Sequence, residues 1–247
     1  MRNYFDFTGR VAIVTGGSRG LGLAMSKALA EQGATVIIAS RKLENCEAAA
    51  REIAERGGRA VAVGAHLGKW ADIERLVDIA YRDFGKVDIV VNNAGMSPLA
   101  ASSADTSEAL FDKVVDVNFK GPFHMTALCG SRMAAGSGGS IINITSIGSI
   151  RPRPDYGPYA GAKAALNAIT VAHAFEFAPK VRVNAILPGS FRTDIAKHWP
   201  AEKETKIDSA IRRYGEPEEI VSTVLYLASD ASSFTTGALI RVDGGRP

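Results

Sequence analysis

The stretch VAIVTGGSRGLG at residues 11–22 joins an apolar strand to a glycine-rich turn and a helix. The run 11–15 is apolar up to its last residue, as in a strand that is covered on both faces. Gly16, Gly20 and Gly22 follow with the spacing G-x-x-x-G-x-G, and the helix runs to about Gln32. Such a turn lets the backbone approach a pyrophosphate, and the helix N-terminus offers amide donors and positive potential. The stretch therefore predicts a nucleotide site; a tight turn without a ligand is the alternative.

The same alternation of short apolar runs and helical segments continues to the end of the chain. Strands apolar on both faces and separated by helices indicate a parallel sheet with helices on each side. We therefore predict an α/β fold, doubly wound, with a parallel seven-stranded sheet in a single domain over 1–247. The predicted strands after the first are 35–39, 60–65, 87–92, 140–145, 181–187 and 238–242, and the predicted helices include 43–56, 107–135, a segment from Tyr159 to before Pro179, and 216–229.

The composition of the chain limits the kinds of molecule that this protein is expected to bind. The net charge of +3 comes from dispersed Lys and Arg residues, so no nucleic-acid surface is expected. No run reaches about 18 apolar residues, and the N-terminus lacks an apolar signal region, so we expect a cytoplasmic protein without a membrane partner. Cys46 and Cys129 have no ligand-spaced neighbours and are expected to be free thiols, and no metal site is expected.

The end of the second strand indicates which nucleotide binds. NAD sites usually have Asp or Glu there, whereas an Arg suits the 2′-phosphate of NADP. This chain reads IIASRK at 37–42, with Ser40 and Arg41 and no acid, and Arg19 lies in the glycine turn. Guanidiniums make charge-assisted contacts to phosphate oxygens, so the pattern favours NADP, with NAD less favoured. A solvent-exposed helix start is the alternative for Arg41.

A Tyr and a Lys lie four residues apart in YAGAK at 159–163. On a helix Tyr159 and Lys163 share a face. A nearby ammonium favours a phenolate, so we expect Lys163 to lower the pKa of Tyr159 and make it an acid and base near neutral pH. An incidental surface pair is the alternative.

The ordered set TGGSRGLG, NNAG (92–95), Asn118, Ser146 and YAGAK resembles the classical short-chain dehydrogenases/reductases, in particular members similar to 3-oxoacyl-(acyl carrier protein) reductases. The resemblance implies a Rossmann fold and carbonyl reduction or alcohol oxidation. It implies that Tyr159 is the general acid and base, that Lys163 holds the nicotinamide ribose, and that Ser146 hydrogen-bonds the substrate oxygen. It implies that Asn118 anchors a water linked to Lys163.

The resemblance also implies a set of cofactor contacts. One position departs from the family pattern, because His66 stands where an Asp often accepts from the adenine amino group; a neutral imidazole could accept there or stack on the ring. The implied cofactor-binding residues are Gly16, Ser18, Arg19, Gly20, Leu21, Gly22, Ser40, Arg41, His66, Leu67, Asn93, Ala94, Gly95, Tyr159, Lys163, Pro188, Gly189, Phe191 and Thr193.

The substrate is left open by the sequence. Three segments, 96–100, 147–158 and 190–214, are expected to wall its pocket, the last as a lid. Arg151 and Arg153 could meet an acidic substrate, or they are ordinary surface charges. The candidate substrates are small carbonyl or alcohol compounds such as a 3-oxoacyl thioester, a ketone or a sugar. An NAD-dependent alcohol dehydrogenase and a non-catalytic NADP sensor are the alternative functions, and the family resemblance implies a homo-oligomer, a tetramer or dimer.

Overall fold

Seven parallel strands form one sheet in the order β3-β2-β1-β4-β5-β6-β7, so the predicted doubly wound α/β fold is confirmed. The computed structural model describes residues 4–193 and 209–246. The order reverses between β1 and β4, which places a crevice at the carboxyl ends of these two strands. The strands are Val11–Thr15 (β1), Thr35–Ser40 (β2), Arg59–Gly64 (β3), Ile89–Asn92 (β4), Gly139–Ile144 (β5), Val181–Pro188 (β6) and Leu239–Val242 (β7).

Helices cover both faces of the sheet. Along β1, Ala12 and Val14 pack on one face with α1, α2 and α7, while Val11 and Ile13 pack on the other with α3, α5 and α6. This alternation explains why the strands have no polar face. The helices are Gly20–Glu31 (α1), Leu43–Glu55 (α2), Trp70–Phe84 (α3), Glu108–Val115 (α4), Gly121–Ala135 (α5), Gly157–Glu176 (α6) and Val221–Ala228 (α7).

The long helical stretch predicted over 107–135 is observed from Glu108 to Ala135, with a π-helical segment inside it that the sequence analysis did not predict. A π turn at Asp116–Lys120 separates α4 from α5. The start of α5 packs directly on the loop after β3, since a Cβ at Gly121 would lie 1.8 Å from the carbonyl oxygen of Leu67. Gly121 therefore has no room for a side chain at this position, and the π turn immediately precedes it.

Two helices begin at residues other than those predicted. The helix α6 begins at Gly157, two residues before Tyr159. The segment predicted as a helix over 216–229 begins as a 3₁₀ turn, Pro217–Ile220, and becomes α-helical only at Val221. Within residues 4–193 and 209–246, every helix is too short or too polar to span a bilayer.

Candidate active site

The carboxyl ends of the strands open into a cleft of about 1970 Å³. Typical drug-sized sites measure about 300–1,000 Å³, so this cleft has room for a dinucleotide and a second molecule. Ser146 and all the residues predicted to contact the cofactor line the cleft, from Gly16 in the glycine turn to Thr193 after β6. The sequence therefore identified one continuous surface rather than scattered positions.

The glycine turn between β1 and α1 folds back so closely that it excludes side chains. A Cβ at Gly22 would lie 2.1 Å from the carbonyl oxygen of Gly16, and Gly16 has a φ of +63°. The side-chain amide of Asn93 holds the turn by donating to the carbonyl oxygens of Thr15 (2.9 Å) and Gly16 (3.2 Å). Within the described residues, α1 begins at Gly20 with no side-chain cap and no acid in its first turn. Its amide donors and positive dipole end therefore line the cleft, which fits a pyrophosphate.

Hydroxyl groups and cations lie at the end of β2, the position where NAD-binding sites usually have an acidic residue. The hydroxyl oxygens of Ser18 and Ser40 lie 3.1 Å apart, and the Ser40 hydroxyl lies 3.1 Å from the thiol of Cys46. Arg19 and Arg41 are exposed at the rim of the cleft, and in the described part of the chain neither has an acidic partner. Two uncompensated guanidiniums beside two hydroxyls fit a phosphate group.

Of the two roles that the sequence analysis left open for His66, accepting a hydrogen bond or stacking, the structure disfavours acceptance from the adenine amino group. Its Nδ1 already accepts from the backbone amide of Gly68 (3.2 Å), and its own backbone amide donates to Asp72 (2.8 Å). In a neutral imidazole the proton then sits on Nε2, which makes that atom a donor. His66 therefore offers a donor or a stacking face to a base, while Leu67 lines the same part of the cleft.

Tyr159 and Ser146 both line the cleft and are hydrogen-bonded to each other through their side chains. Burial raises the pKa of Tyr159, and a hydrogen bond with the Ser146 side chain partly opposes that rise. The Ser146 hydroxyl also accepts from the backbone amide of Gly148 (3.0 Å), which fixes its position after β5. The expected lowering of this pKa by Lys163 is not found among the protein's own groups, since the Lys163 Nζ lies 6.0 Å from the centroid of the Tyr159 ring.

Lys163 lies on the floor of the site. Its side chain is only 2% exposed, and its Nζ donates to the carbonyl oxygen of Ile144 at 2.8 Å. Burial lowers the pKa of Lys163 to about 7. The sequence could not show this, because the burial is produced by tertiary packing of α6 against β6 and against the 3₁₀ turn at Ile147–Ser149. A Cβ at Gly95 would lie 3.6 Å from this Nζ, so the glycine keeps the space beside the ammonium open.

Asn118 lies beneath the cleft rather than in its wall. It is fully buried in the π turn, where its side-chain amide donates to the carbonyl oxygens of Met96 (2.8 Å) and Val114 (2.9 Å). Its side-chain oxygen accepts from the Met96 amide at 3.2 Å. These contacts use the side chain to join the helix α4 to the loop after β4. A water-anchoring role remains a prediction for this residue.

The segment after β6 forms the opposite wall. A Cβ at Gly189 would lie 2.6 Å from the Cα of Asp243, so this glycine allows the segments after β6 and β7 to approach. Thr193 lies across the cleft from the glycine turn, 3.5 Å from the position of a Cβ on Gly20. Pro188 and Phe191 line the same wall. The predicted lid at 190–214 falls largely on 194–208, including His198 and Trp199, which lie outside the described residues.

Sequence reasoning missed the contribution of the C-terminal segment. Asp243 and Arg246 follow β7 and line the cleft beside Tyr156. The signal was available, because the carboxyl ends of parallel strands share one edge of a sheet, and residues after β7 belong at that edge. Among the described residues, no group of three or more His, Cys, Asp or Glu side chains is placed to hold a metal ion.

The chain is similar over most of its length to known proteins. Residues 16–246 match a family described as enoyl-(acyl carrier protein) reductase. Dehydrogenase/reductase SDR family member 4 of Homo sapiens is 37% identical over 96% of this chain and 87% of that protein. The corresponding protein of Bos taurus is 39% identical over 99% of this chain and 88% of its own length.

Solved structures agree with the sequence relatives. A short-chain type dehydrogenase/reductase from Mycobacterium marinum has a TM-score of 0.91 at 33% identity, covering 98% of this chain and 97% of that one. The NADPH-dependent 3-quinuclidinone reductase of Rhodotorula rubra has a TM-score of 0.92 at 31% identity, covering 99% and 95%.

Proposed function

This chain belongs to the short-chain dehydrogenase/reductase family and is an NAD(P)-dependent oxidoreductase acting on CH–OH or C=O groups, and from that premise we propose that it uses NADP(H), with Tyr159 as general acid and base. The reaction is reduction of a carbonyl to a secondary alcohol, or its reverse. The observation that carries the proposal is the hydrogen bond between Tyr159 and Ser146 in the lining of a cleft large enough for a dinucleotide.

The protonation state of Tyr159 suits reduction. Burial raises its pKa above the usual value of about 10, so the phenol holds its proton at neutral pH and can give it to a developing alkoxide. Ser146 donates to the same oxygen and holds it against the phenol. The nicotinamide, when bound, supplies or takes the hydride. In the alcohol-oxidation direction, Tyr159 must lose its proton, and a positive charge nearby favours that loss.

Lys163 supplies the cationic component in this scheme. Its ammonium is fixed at one point by Ile144, and its remaining two N–H donors are left for the ribose hydroxyls that the family resemblance assigns to it. Each donor directed at a hydroxyl favours the protonated ammonium over the neutral amine. Lys163 therefore positions the cofactor and adds positive charge to the surroundings of Tyr159.

The choice of NADP rests on the end of β2. Ser18 and Ser40 present adjacent hydroxyls, and Arg19 and Arg41 line the rim without acidic partners among the described residues. A ribose 2′-hydroxyl would find no carboxylate acceptor in this chain at the position of Ser40. The structural relative from Rhodotorula rubra is itself NADPH-dependent, which supports the choice.

Nucleotide binding and turnover can be tested separately. The protein is titrated with NADPH and NADH while cofactor fluorescence is followed, and a panel of ketones and secondary alcohols is then assayed with wild type and Tyr159→Phe. We expect tighter binding of NADPH, turnover by wild type, and a loss of at least a hundredfold in kcat for the variant with binding retained. Preferred binding of NADH would favour an NAD-dependent dehydrogenase, and binding without any turnover would favour a sensor.

We also propose a cytoplasmic homo-oligomer, a tetramer or dimer, that uses α5 and α6. Phe175 is 82% exposed and Val171 is 37% exposed on α6, which leaves an apolar face on that helix. Leu166 of the same helix is fully buried in the monomer and belongs to the core. Light scattering of the purified protein and of Phe175→Glu tests the assembly; we expect the variant to have a smaller mass.

A further inference from the structure

The cleft has a second charged region next to Tyr159. The ring of Tyr156 lies edge-on to that of Tyr159, with centroids 6.0 Å apart and planes at 81°. The Tyr156 hydroxyl donates to the carbonyl oxygen of Arg151 at 3.3 Å, and the ring passes 3.1 Å from the position of a Cβ on Gly148. Tyr156 is thus held as a wall of the cleft, one aromatic ring away from the reacting phenol.

Two guanidiniums from distant parts of the sequence lie around Tyr156. Arg153 precedes it in the loop before α6, and Arg246 reaches the cleft from the segment after β7. Both lower the pKa of the Tyr156 phenol, with Arg246 the stronger, against the larger rise that burial causes. In the part of the chain that the structure describes, neither arginine forms an ion pair with an acidic side chain.

The other charges of this region are mostly compensated. Arg213 is held by both carboxylate oxygens of Glu219, at 2.6 and 2.7 Å. Asp243 accepts from Arg241 at 2.9 and 2.7 Å and from the backbone amide of Gly245 at 3.0 Å. Arg151 also lines the cleft, in the same loop as Arg153.

One acidic side chain near the two arginines offsets part of their positive charge. Asp155 also lines the cleft, and its Oδ1 is buried with no hydrogen-bond partner among the described residues. Two guanidiniums against one carboxylate leave an excess of positive charge beside Tyr156, which favours an anionic group on the bound molecule. The flat fork of a guanidinium also matches a carboxylate.

We propose that the substrate of this oxidoreductase carries a carboxylate, which Arg153 and Arg246 bind beside Tyr156 while Tyr159 and Ser146 hold the carbonyl oxygen. The substrate class is therefore a short oxo acid or, in the reverse direction, a hydroxy acid. The inference rests on the proposed function for its chemistry, but the anion subsite can be tested without turnover.

The first test compares each oxo acid with its own methyl ester. The probes are 3-oxobutanoate, 4-oxopentanoate and 5-oxohexanoate, assayed with NADPH against the three esters. We expect kcat/KM to be at least tenfold higher for the best acid than for its ester, and the preference to shrink as salt is added. Arg153→Gln and Arg246→Gln should each reduce the acid-over-ester ratio at least fivefold, mainly through KM for the acid.

Arg213→Gln is the matched control, because it removes an arginine from the same cleft whose charge Glu219 already compensates. We expect the acid-over-ester ratio to survive in this variant. Turnover of esters and acids without preference, or an equal loss in Arg213→Gln, would overturn the anion subsite and leave the oxidoreductase proposal standing.

A binding measurement separates the two proposals. Tyr159→Phe is loaded with NADPH and titrated with 4-oxopentanoate or its methyl ester while NADPH fluorescence is followed. Tighter binding of the acid that is lost in Arg153→Gln supports the subsite even if no substrate turns over. Equal binding of acid and ester rejects it whatever the activity.

Discussion

The side-chain amide of Asn167 donates to the hydroxyl of Ser149 at 2.7 Å. That hydroxyl in turn donates to the main-chain carbonyl oxygen of Ser146 at 2.6 Å. Asn167 lies on α6 one turn beyond Lys163 and is only 7% exposed, so the two bonds link the helix that carries Tyr159 to the residue that hydrogen-bonds it. The chain Asn167–Ser149–Ser146 therefore supports the pair of residues that we propose as catalytic, Ser146 and Tyr159.

Removing the Ser149 hydroxyl from this chain should change the pKa of Tyr159 and the rate of the reaction. Ser149→Ala leaves the Ser146 carbonyl without that bond and loosens the hydrogen bond between Ser146 and Tyr159. Because this hydrogen bond lowers the pKa of Tyr159, loosening it should raise that pKa. We expect kcat to fall about tenfold, in line with general acid–base contributions. In the oxidation direction, which needs the phenolate, the pH–rate limb should move to higher pH. Steady-state kinetics from pH 6 to 10 measure both effects.

Two controls separate positioning from general stability. Ser149→Thr keeps the hydroxyl and should restore both kcat and the limb. Ser107→Ala removes the N-cap of α4, which accepts from Leu110 at 3.2 Å, and costs about 1 kcal/mol far from the cleft. The support role is wrong if Ser107→Ala shifts the pH limb as much as Ser149→Ala does, or if neither shifts it.

Cofactor preference should depend on Arg41. Arg41→Gln removes one guanidinium from the rim beside Ser40, so we expect KM for NADPH to rise at least tenfold while KM for NADH changes less than twofold. Arg56→Gln is a matched loss of charge, because Arg56 follows the same helix α2 but faces Glu31 and Glu52. Equal effects of the two substitutions on NADPH would show a general electrostatic effect and no 2′-phosphate contact.

The sheet was predictable because its signal is local. Each strand is a short apolar run bounded by turn residues, and observed strand ends differ from prediction by at most two residues, as at Ile89 in β4. The π turn was not predictable, because nothing local in 116–120 marks it. It lies next to the close approach of Gly121 to Leu67, a contact between residues far apart in sequence.

Some features of the candidate site were likewise predictable from local sequence, and others depend on tertiary packing. Residues in sequence motifs, such as Ser146 and Tyr159, were identified without a structure. The pKa directions of Tyr159 and Lys163 were not, because burial dominates both, and burial is a property of tertiary packing. Arg246 was missed since its place in the cleft depends on where β7 ends in the sheet.

A chain of buried polar side chains that links β4, β5 and α6 should contribute to stability. The amide of Asn143 donates to Thr170 Oγ1 at 2.9 Å, and its side-chain oxygen accepts from Asn92 at 2.9 Å. All three side chains are at most 1% exposed. Asn143→Leu leaves Asn92 short of an acceptor and Thr170 short of a donor, which costs about 2–4 kcal/mol in the free energy of unfolding. Urea denaturation measures this loss.

Thr170→Val tests the same chain from its other end with little change of shape. It removes the acceptor of the Asn143 amide and the hydrogen bond that the Thr170 hydroxyl donates to the carbonyl oxygen of Leu166 at 2.8 Å, and we expect a loss of about 1–2 kcal/mol. A loss below 0.5 kcal/mol for Asn143→Leu, on the order of an ordinary surface substitution, would contradict a stabilising role for these hydrogen bonds.

Lys163 should make stability depend on pH in a recognisable way. Its pKa is about 7 in the fold and 10.5 as the reference value, so between these pH values the unfolded chain holds a proton that the folded chain has lost. Because the unfolded state binds more protons there, the contribution of this group to the free energy of unfolding rises with pH by about 1.4 kcal/mol per unit. Below about pH 7 the buried ammonium destabilises the fold by its full amount.

The variant Lys163→Met removes the titrating group and isolates this effect from all others. We expect the free energy of unfolding of wild type minus that of Lys163→Met to increase by several kcal/mol between pH 6.5 and 9.5, measured by urea denaturation without cofactor. Lys113→Met, which removes an exposed lysine from the last turn of α4, should give a difference that is nearly independent of pH over this range. A flat difference for Lys163→Met as well would mean that the ammonium keeps its charge at little cost. The hydrogen bond to Ile144 would then offset the loss of hydration, and Lys163 would reach the cofactor already fully protonated.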